Sequence, residues 1–172
     1  TSGRRAVTSA AEGVEAVREL KAEGVDFIKI HSLLPRDAYF AIAGEAQRQG
    51  LAVAGHVPDA VRLDEAIAAG QRTIEHLVGM SLACSTRETA LRARLRDDEQ
   101  GLDRQPADIR AYVDARLRID GAATQSYSPA RAATVFARLA QHHVWQCPTL
   151  VKWRAWALSD APAHPPQPAR AA

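Results

Sequence analysis

Hydrophobic and polar positions in the first half of the chain repeat in one order: an amphipathic stretch, a glycine and a short apolar run. Val14, Val17 and Leu20 recur at helical spacing, which predicts a helix. Its start is expected at Ala10 or Ala11, after an N-cap at Thr8 or Ser9, and its end at Gly24. Two further amphipathic stretches, within residues 35–49 and 59–69, also end at glycines. We expect Asp59 to cap the second of them.

The apolar runs that follow these glycines predict three strands, over residues 25–30, 51–55 and 71–77. Alternating helices and strands with short connections are typical of parallel strands joined by right-handed crossovers. The predicted fold class is α/β, as a partial (β/α)8 TIM-type barrel of about four strands. A complete barrel usually needs about 250 residues, so a chain of 172 is short for one.

The pattern changes after residue 77, where a long helical interval precedes the next strand candidate at residues 144–147. Residues 86–122 are rich in Arg and Asp, which predicts a solvated helical insertion. Because it follows the carboxyl end of a strand, we expect it near the barrel's active-site face, as a cap. Residues 159–172 are rich in Pro and Ala, which predicts a disordered tail.

Composition excludes some partners. The net charge is +2 with a pI near 8.7, and basic residues are spread beside acids, which argues against nucleic-acid binding. No apolar run is long enough to cross a membrane, and residues 1–10 do not form a signal peptide. A soluble protein of undetermined compartment is expected. Cys84 and Cys147 have no metal or redox spacing; we expect two buried thiols, and a disulfide stays open.

Three polar residues close the three predicted strands, namely Lys29, His56 and His76. In a parallel barrel such positions lie side by side at the carboxyl mouth. Two imidazoles and an anionic oxygen suit Zn²⁺ or a similar divalent ion. The recurrence predicts a metal site, although a single histidine at such a position is more often structural.

Lys29 stands between Ile28 and Ile30 in a run that predicts a strand buried on both faces. A charged, unpaired lysine would be costly there. It is either paired with a carboxylate, or neutral and thus a base, a Schiff-base nucleophile or an acceptor of carbon dioxide. The resulting carbamate would be an anionic ligand able to bridge two metal ions.

Two neighbouring residues are weaker candidates. His31 shares the face of Lys29 and is expected to contact substrate. Glu75 has the opposite strand parity to His76, so we expect its side chain to point towards the helices and make a structural ion pair.

These residues belong to segments that resemble the amidohydrolase superfamily, in its imidazolonepropionase-like and Xaa-Pro or Xaa-Arg dipeptidase-like branch. The resemblance covers roughly residues 8–151. The matching segments are Gly24-Val25-Asp26-Phe27-Ile28-Lys29-Ile30, Ala54-Gly55-His56-Val57-Pro58, Ala69-Gly70, Ile74-Glu75-His76-Leu77 and Cys147-Pro148-Thr149-Leu150.

The resemblance implies that Lys29 ends the fourth barrel strand as a carboxylated, bridging lysine. His56 and His76 would then end the fifth and sixth strands and bind the second of two metal ions, commonly zinc. Lys29 and His76 would serve catalysis. A metal-activated hydroxide would attack the carbonyl of a small-molecule amide, lactam or dipeptide substrate.

The sequence departs from the family pattern in two places. The His-x-His of the first strand and the aspartate of the eighth are absent. We therefore expect the chain to be a fragment of a longer hydrolase that does not turn over alone.

Two other functions remain open. The chain is alternatively a catalytically dead remnant that acts as a binding or oligomerising module, because open sheet edges attract partners. Another alternative is a Schiff-base aldolase that uses Lys29. Neighbouring histidines at strand ends favour the hydrolase.

Overall fold

The computed structural model describes residues 5–99 and 106–158. Its helices are α1 Ala10–Ala22, α2 Arg36–Arg48, α3 Leu63–Ala68, α4 Met80–Ala83, α5 Glu88–Glu99, α6 Pro106–Gln125, α7 Pro129–Gln141 and α8 Leu150–Ala157. Its strands are β1 Phe27–Ile30, β2 Ala52–Gly55, β3 Thr73–Glu75 and β4 Trp145–Cys147. The predicted tail at residues 159–172 lies outside the described residues.

The helix starts follow local capping chemistry. Of the two predicted caps for α1, Ser9 is the one used: its side chain accepts a hydrogen bond from the backbone N–H of Glu12 at 3.3 Å. The cap predicted at Asp59 is wrong. Helix α3 begins later, at Leu63, and the Glu65 carboxylate accepts the backbone N–H of Arg62 at 2.9 Å. This leaves Asp59 available for buried contacts elsewhere.

The strands are parallel, as predicted, and form two short pairs. Strand β1 pairs with β2, and β3 pairs with β4. A single bridge between Val53 and Gln71 joins β2 to the chain entering β3. The described residues form a mixed α/β fold with short parallel strands and no closed barrel.

The junction between the two strand pairs is held by the Gln71 side chain, which is almost fully buried. Its amide donates to the carbonyl oxygens of Gly55, His56 and Thr73 at 3.3, 3.2 and 3.0 Å. Its carbonyl oxygen accepts the Tyr39 hydroxyl at 2.9 Å. A polar side chain thus replaces the missing backbone ladder and fixes the backbone around His56.

The main core lies between the strands and helices α1, α2, α3 and α7. Buried side chains at helical spacing, including Tyr39, Ile42 and Ala46 of α2, pack against Ile28 and Val53 of the strands. In α2 and α3, the apolar faces predicted from the sequence are therefore the faces that the fold buries.

The insertion is not simply solvated, which corrects the prediction for residues 86–122. Its helices form a second core around Leu91, Leu95 and Ile119. Arg92 is also buried. Its guanidinium keeps hydrogen-bond partners there, since it donates to the Glu88 carboxylate and to two backbone carbonyls of the loop before α3. Arginine carries a long apolar stem, so charge content alone overestimated the exposure of this segment.

The cysteine prediction is half right. Cys84 is a buried thiol, whereas Cys147 is exposed, and the two are not bonded to each other. In the part of the chain that the structure describes, no helix combines the length and apolar character needed to cross a membrane.

Candidate metal centre

Both candidate histidines lie at the same edge of the strands. His56 directly follows β2, and its backbone N–H donates to the Ile30 carbonyl at 3.0 Å. His76 follows β3, and its N–H donates to the Cys147 carbonyl at 2.8 Å. These bonds extend the parallel ladders by one residue, so the two imidazoles meet with ring centroids 5.0 Å apart.

Gly55 allows His56 to reach this position. Its φ of 108° is in the region that side chains disfavour, and an added Cβ would lie 2.5 Å from the Ile30 carbonyl oxygen. The backbones of β1 and β2 therefore approach each other closely at this glycine. Any larger residue would push β2 away from β1 and displace the histidine.

Glu75 joins the two histidines, contrary to the prediction that it points towards the helices. Ligand atoms of His56, Glu75 and His76 all lie within 4.8 Å of one another. The parity argument fails because regular alternation stops at His76, whose φ is 57°. This left-handed residue turns its imidazole back to the side of Glu75, with 3.8 Å between Nε2 and Oε2.

Lys29 is adjacent to the group but is not buried, so the predicted desolvation is wrong. Strand β1 alternates between exposed and buried residues, and the Lys29 side chain is 54% exposed. Its Nζ lies 2.7 Å from Oε2 of Glu75. The unmodified Lys29 side chain is therefore paired with a carboxylate, which is one of the two states predicted for it.

His31 lies beside the same group. Its ring centroid is 4.6 Å from that of His56. Both rings border a cavity of about 680 Å³ that His76 also lines. Most of the cavity wall is apolar, with Val113 and Leu117 of α6 contributing to it. The insertion therefore does lie next to the histidines.

Hydrogen bonds fix the orientation of His76. Its Nδ1 lies 2.6 Å from Oγ1 of Thr149, and that hydroxyl donates to the Pro148 carbonyl at 2.8 Å. A hydroxyl proton on that carbonyl favours an N–H at Nδ1, which leaves the lone pair on Nε2. Thr149 also has a left-handed φ of 46°, so backbone strain of about 1–3 kcal/mol accompanies this contact.

His56 is held in the same way, with its Nδ1 2.6 Å from Oγ of the buried Ser32. Neither Ser32 nor Thr149 stood out as a site residue in the sequence. Thr149 lies in the Cys147–Leu150 segment of the family resemblance, which was the only signal for it. Ligand histidines in metalloproteins commonly hold their second nitrogen by such a bond.

The electrostatic environment keeps both imidazoles neutral. Burial, with nearby His31 and His76, lowers the pKa of His56 to about 3. Burial, with Lys152, lowers the pKa of His76. Burial raises the pKa of Glu75, but the Lys29 hydrogen bond and charge outweigh it, and the net shift is downward. Neutral imidazoles beside a carboxylate are in the protonation states that metal binding needs.

Comparisons with known proteins do not assign this chain to a family. No protein-family model matches the chain, and no curated protein does. Among solved structures the chain is similar to one titled "AH, Bottromycin amidohydrolase", with 23% sequence identity and a TM-score of 0.40. The match covers 79% of this chain and 37% of that one, so the chain spans well under half of that protein's length.

Proposed function

We propose that this chain is part of a metal-dependent hydrolase of the amidohydrolase superfamily, built on a partial (β/α)8 barrel and acting on C–N bonds. The observation that carries the proposal is the convergence of His56, Glu75 and His76 at the carboxyl edge of parallel strands. Active sites of (β/α) barrels form at that edge.

The donor set fits a divalent ion such as Zn²⁺. Each imidazole uses Nδ1 for a hydroxyl partner, at Ser32 for His56 and at Thr149 for His76. Both Nε2 atoms therefore remain as ligands, and Glu75 adds a carboxylate oxygen. Zinc sites in enzymes commonly combine histidine nitrogens with a carboxylate and leave a position open for water or substrate.

A bound divalent ion would supply a Lewis acid for the substrate carbonyl and a lowered pKa for its water. The chain's own residues prepare this chemistry. Ser32 and Thr149 hold the rings in one orientation. Glu75 provides negative charge at the same edge, with Lys29 as its counter-ion in the absence of metal.

The more specific part of the proposal is that Lys29 is carboxylated and binds metal. The family resemblance makes it a carboxylated lysine that bridges two metal ions. Its Nζ is already 2.7 Å from Glu75, so a carbamate on Nζ would be close to the other ligands. A second ion would depend on this carbamate and on ligands beyond the His56, Glu75 and His76 group.

The cavity beside the histidines supports a small-molecule amide or dipeptide as the substrate. Its volume of about 680 Å³ lies in the range that small-molecule sites occupy. The apolar residues of α6 in its wall favour an uncharged group next to the scissile bond, and His31, which lines the same cavity, is a candidate substrate contact.

Zinc retention tests the proposal. Dialysis of the 172-residue chain against Zn²⁺, followed by metal analysis, is expected to leave bound zinc on the wild type. His56→Ala and His76→Ala should lose it, whereas His142→Ala, at an exposed helix end, should not. Equal zinc content in all four proteins would overturn the proposal.

A second candidate function, a non-catalytic pairing module, is favoured by exposed apolar residues. Trp145 in β4 and Leu150 and Val151 in α8 are 70% or more exposed. Among the described strands, β1 pairs only with β2, and β4 only with β3. Unpaired edges next to apolar side chains are sites of self-association.

A further inference from the structure

Another cavity lies between helices α3 and α7 and the start of α5. Its volume is about 320 Å³, near the lower end of the range for small-molecule sites. It shares no lining residue with the cavity of about 680 Å³ beside the histidines. Leu63 and Val135 give it an apolar side, and Arg62, Arg131 and Arg138 also line it. This α3–α7 cavity therefore combines an apolar surface with cationic groups.

The buried Glu88 carboxylate holds two of these arginines in place. Its side chain is only 5% exposed. Its Oε2 accepts N–H groups from Arg62 at 3.2 Å and from Arg131 at 2.6 Å. Its Oε1 accepts an N–H of the buried Arg92 at 3.0 Å. Because both carboxylate oxygens bond charged donors, Glu88 orients the guanidinium groups around the cavity.

The guanidinium groups have more donors than these bonds use. A guanidinium carries five N–H groups. Among the described residues, Arg62 bonds Glu88 and Asp64, and Arg131 bonds Glu88 and one backbone carbonyl. Nη1 of Arg138 is 3.8 Å from Asp64, which is too far for a hydrogen bond. Since the three arginine side chains are 42–50% exposed, their other N–H groups are accessible to a ligand.

Positive charge is in excess around the α3–α7 cavity. In the described ion pairs at this place, four guanidinium groups meet two carboxylates, and these groups belong to Arg62, Arg92, Arg131, Arg138, Asp64 and Glu88. Glu65, also on α3, pairs with Arg36 at 2.5 Å and so leaves this balance unchanged. The local excess of two positive charges favours a dianion as the ligand.

We propose that the α3–α7 cavity binds a phosphomonoester through Arg62, Arg131 and Arg138. A phosphate group carries about −1.5 to −2 charges at pH 7 and offers several acceptor oxygens, which suits the excess charge and three guanidinium groups. A carboxylate has a single charge and two oxygens. The apolar side of the cavity accommodates the organic part of the ester. This site is separate from the metal group and does not depend on the proposed function.

A bound phosphomonoester would also join the insertion to the rest of the fold. Arg62 immediately precedes α3, and Arg131 and Arg138 belong to α7. Glu88, which orients two of the arginines, is the first residue of α5 in the insertion. A ligand that binds only this assembled arrangement stabilises it by mass action, so the ligand should raise the melting temperature of the protein.

Titration calorimetry of the metal-free chain tests the site with inorganic phosphate, phenyl phosphate and acetate at one ionic strength. We expect phenyl phosphate to bind most tightly and acetate most weakly. Arg138→Gln removes a charge but no hydrogen bond seen among the described residues, so it should fold and weaken phenyl phosphate binding by about tenfold or more. Arg118→Gln, on the exposed side of α6 and outside the cavity wall, removes the same charge and should bind like the wild type.

A second readout needs no variant. ¹H–¹⁵N spectra of the metal-free wild type, recorded during the phenyl phosphate titration, follow the arginine Nε–H groups and the histidine rings. We expect the signals of Arg62, Arg131 and Arg138 to shift together, while the imidazole signals of His56 and His76 stay in place. This pattern would distinguish the α3–α7 cavity from the cavity beside the histidines.

Several results would overturn the phosphomonoester site. The wild type would bind no phenyl phosphate, or Arg138→Gln would bind it as tightly as the wild type. Shifts of the imidazoles without shifts of the three arginines would place the ligand at the histidines instead. Acetate that binds as tightly as phosphate, or phenyl phosphate that binds no better than inorganic phosphate, would contradict the ligand class. Each of these results leaves zinc binding by the histidines unaffected, so the two proposals fail separately.

Discussion

Strand parity explains why some candidate residues lie where the sequence placed them and others do not. The position of His56 followed from a glycine, a short apolar run and a strand end. The predictions for Lys29 and Glu75 depended on the direction in which each side chain points, and one irregular residue can reverse that direction. The left-handed φ of His76 ended the alternation, and no residue pattern marks such a turn in a non-glycine residue.

Whether Lys29 can form a carbamate depends on whether Glu75 is paired with it or bound to a metal ion. In the metal-free protein its ammonium pairs with Glu75 at 2.7 Å, and an ammonium cannot attack carbon dioxide. If a metal ion drew Glu75 away, the Lys29 ammonium would lose one proton to become the amine, and the amine would then add carbon dioxide to form a carbamate with release of a second proton.

Carbon-13 NMR of the chain in labelled bicarbonate tests this coupling. We expect a carbamate signal only when zinc is present, and none in Lys29→Arg. Lys21→Arg, on the exposed side of α1, serves as the control and should keep the signal. A zinc-loaded wild type without the signal would show that Lys29 remains a counter-ion to Glu75.

Among the secondary-structure elements, the sequence predicted the order of helices and strands better than the contacts between them. Glycines at helix ends and apolar runs sufficed for the three repeating units. The link between the two strand pairs could not be predicted, because it depends on four hydrogen bonds of one side chain, Gln71. The buried face of the insertion was missed since Arg92 and Arg116 are paired inside it.

The buried Gln71 and the half-buried Gln146 give a matched test of this link. Gln71→Met would leave the Tyr39 hydroxyl and nearby carbonyls without their partner, which costs about 1–3 kcal/mol for each buried group. Both side-chain polar atoms of Gln146 are buried without a partner among the described residues. Gln146→Met should therefore be neutral or stabilising.

Urea denaturation measures both free energies of unfolding. Gln71→Met should also weaken zinc binding, since Gln71 holds the carbonyl oxygen of His56 at 3.2 Å. Equal destabilisation by the two substitutions would mean that Gln71 does not join the strand pairs.

For the whole molecule, the exposed apolar residues at β4 and α8 predict weak self-association at the strand edges. Sedimentation velocity over a range of concentrations measures it. Trp145→Lys should remove a side chain that is 76% exposed and add a charge that disfavours edge pairing. A wild type that stays monomeric at every concentration would count against the pairing module.

The central claim is that His56, Glu75 and His76 bind one divalent ion, and zinc X-ray absorption of the loaded 172-residue chain tests it most directly. The account predicts two imidazole nitrogens at about 2.0–2.1 Å with oxygen ligands in the same shell. His76→Ala should reduce this to one imidazole or abolish binding. A sulfur shell in the wild type, or two imidazoles that persist in His76→Ala, would contradict the account.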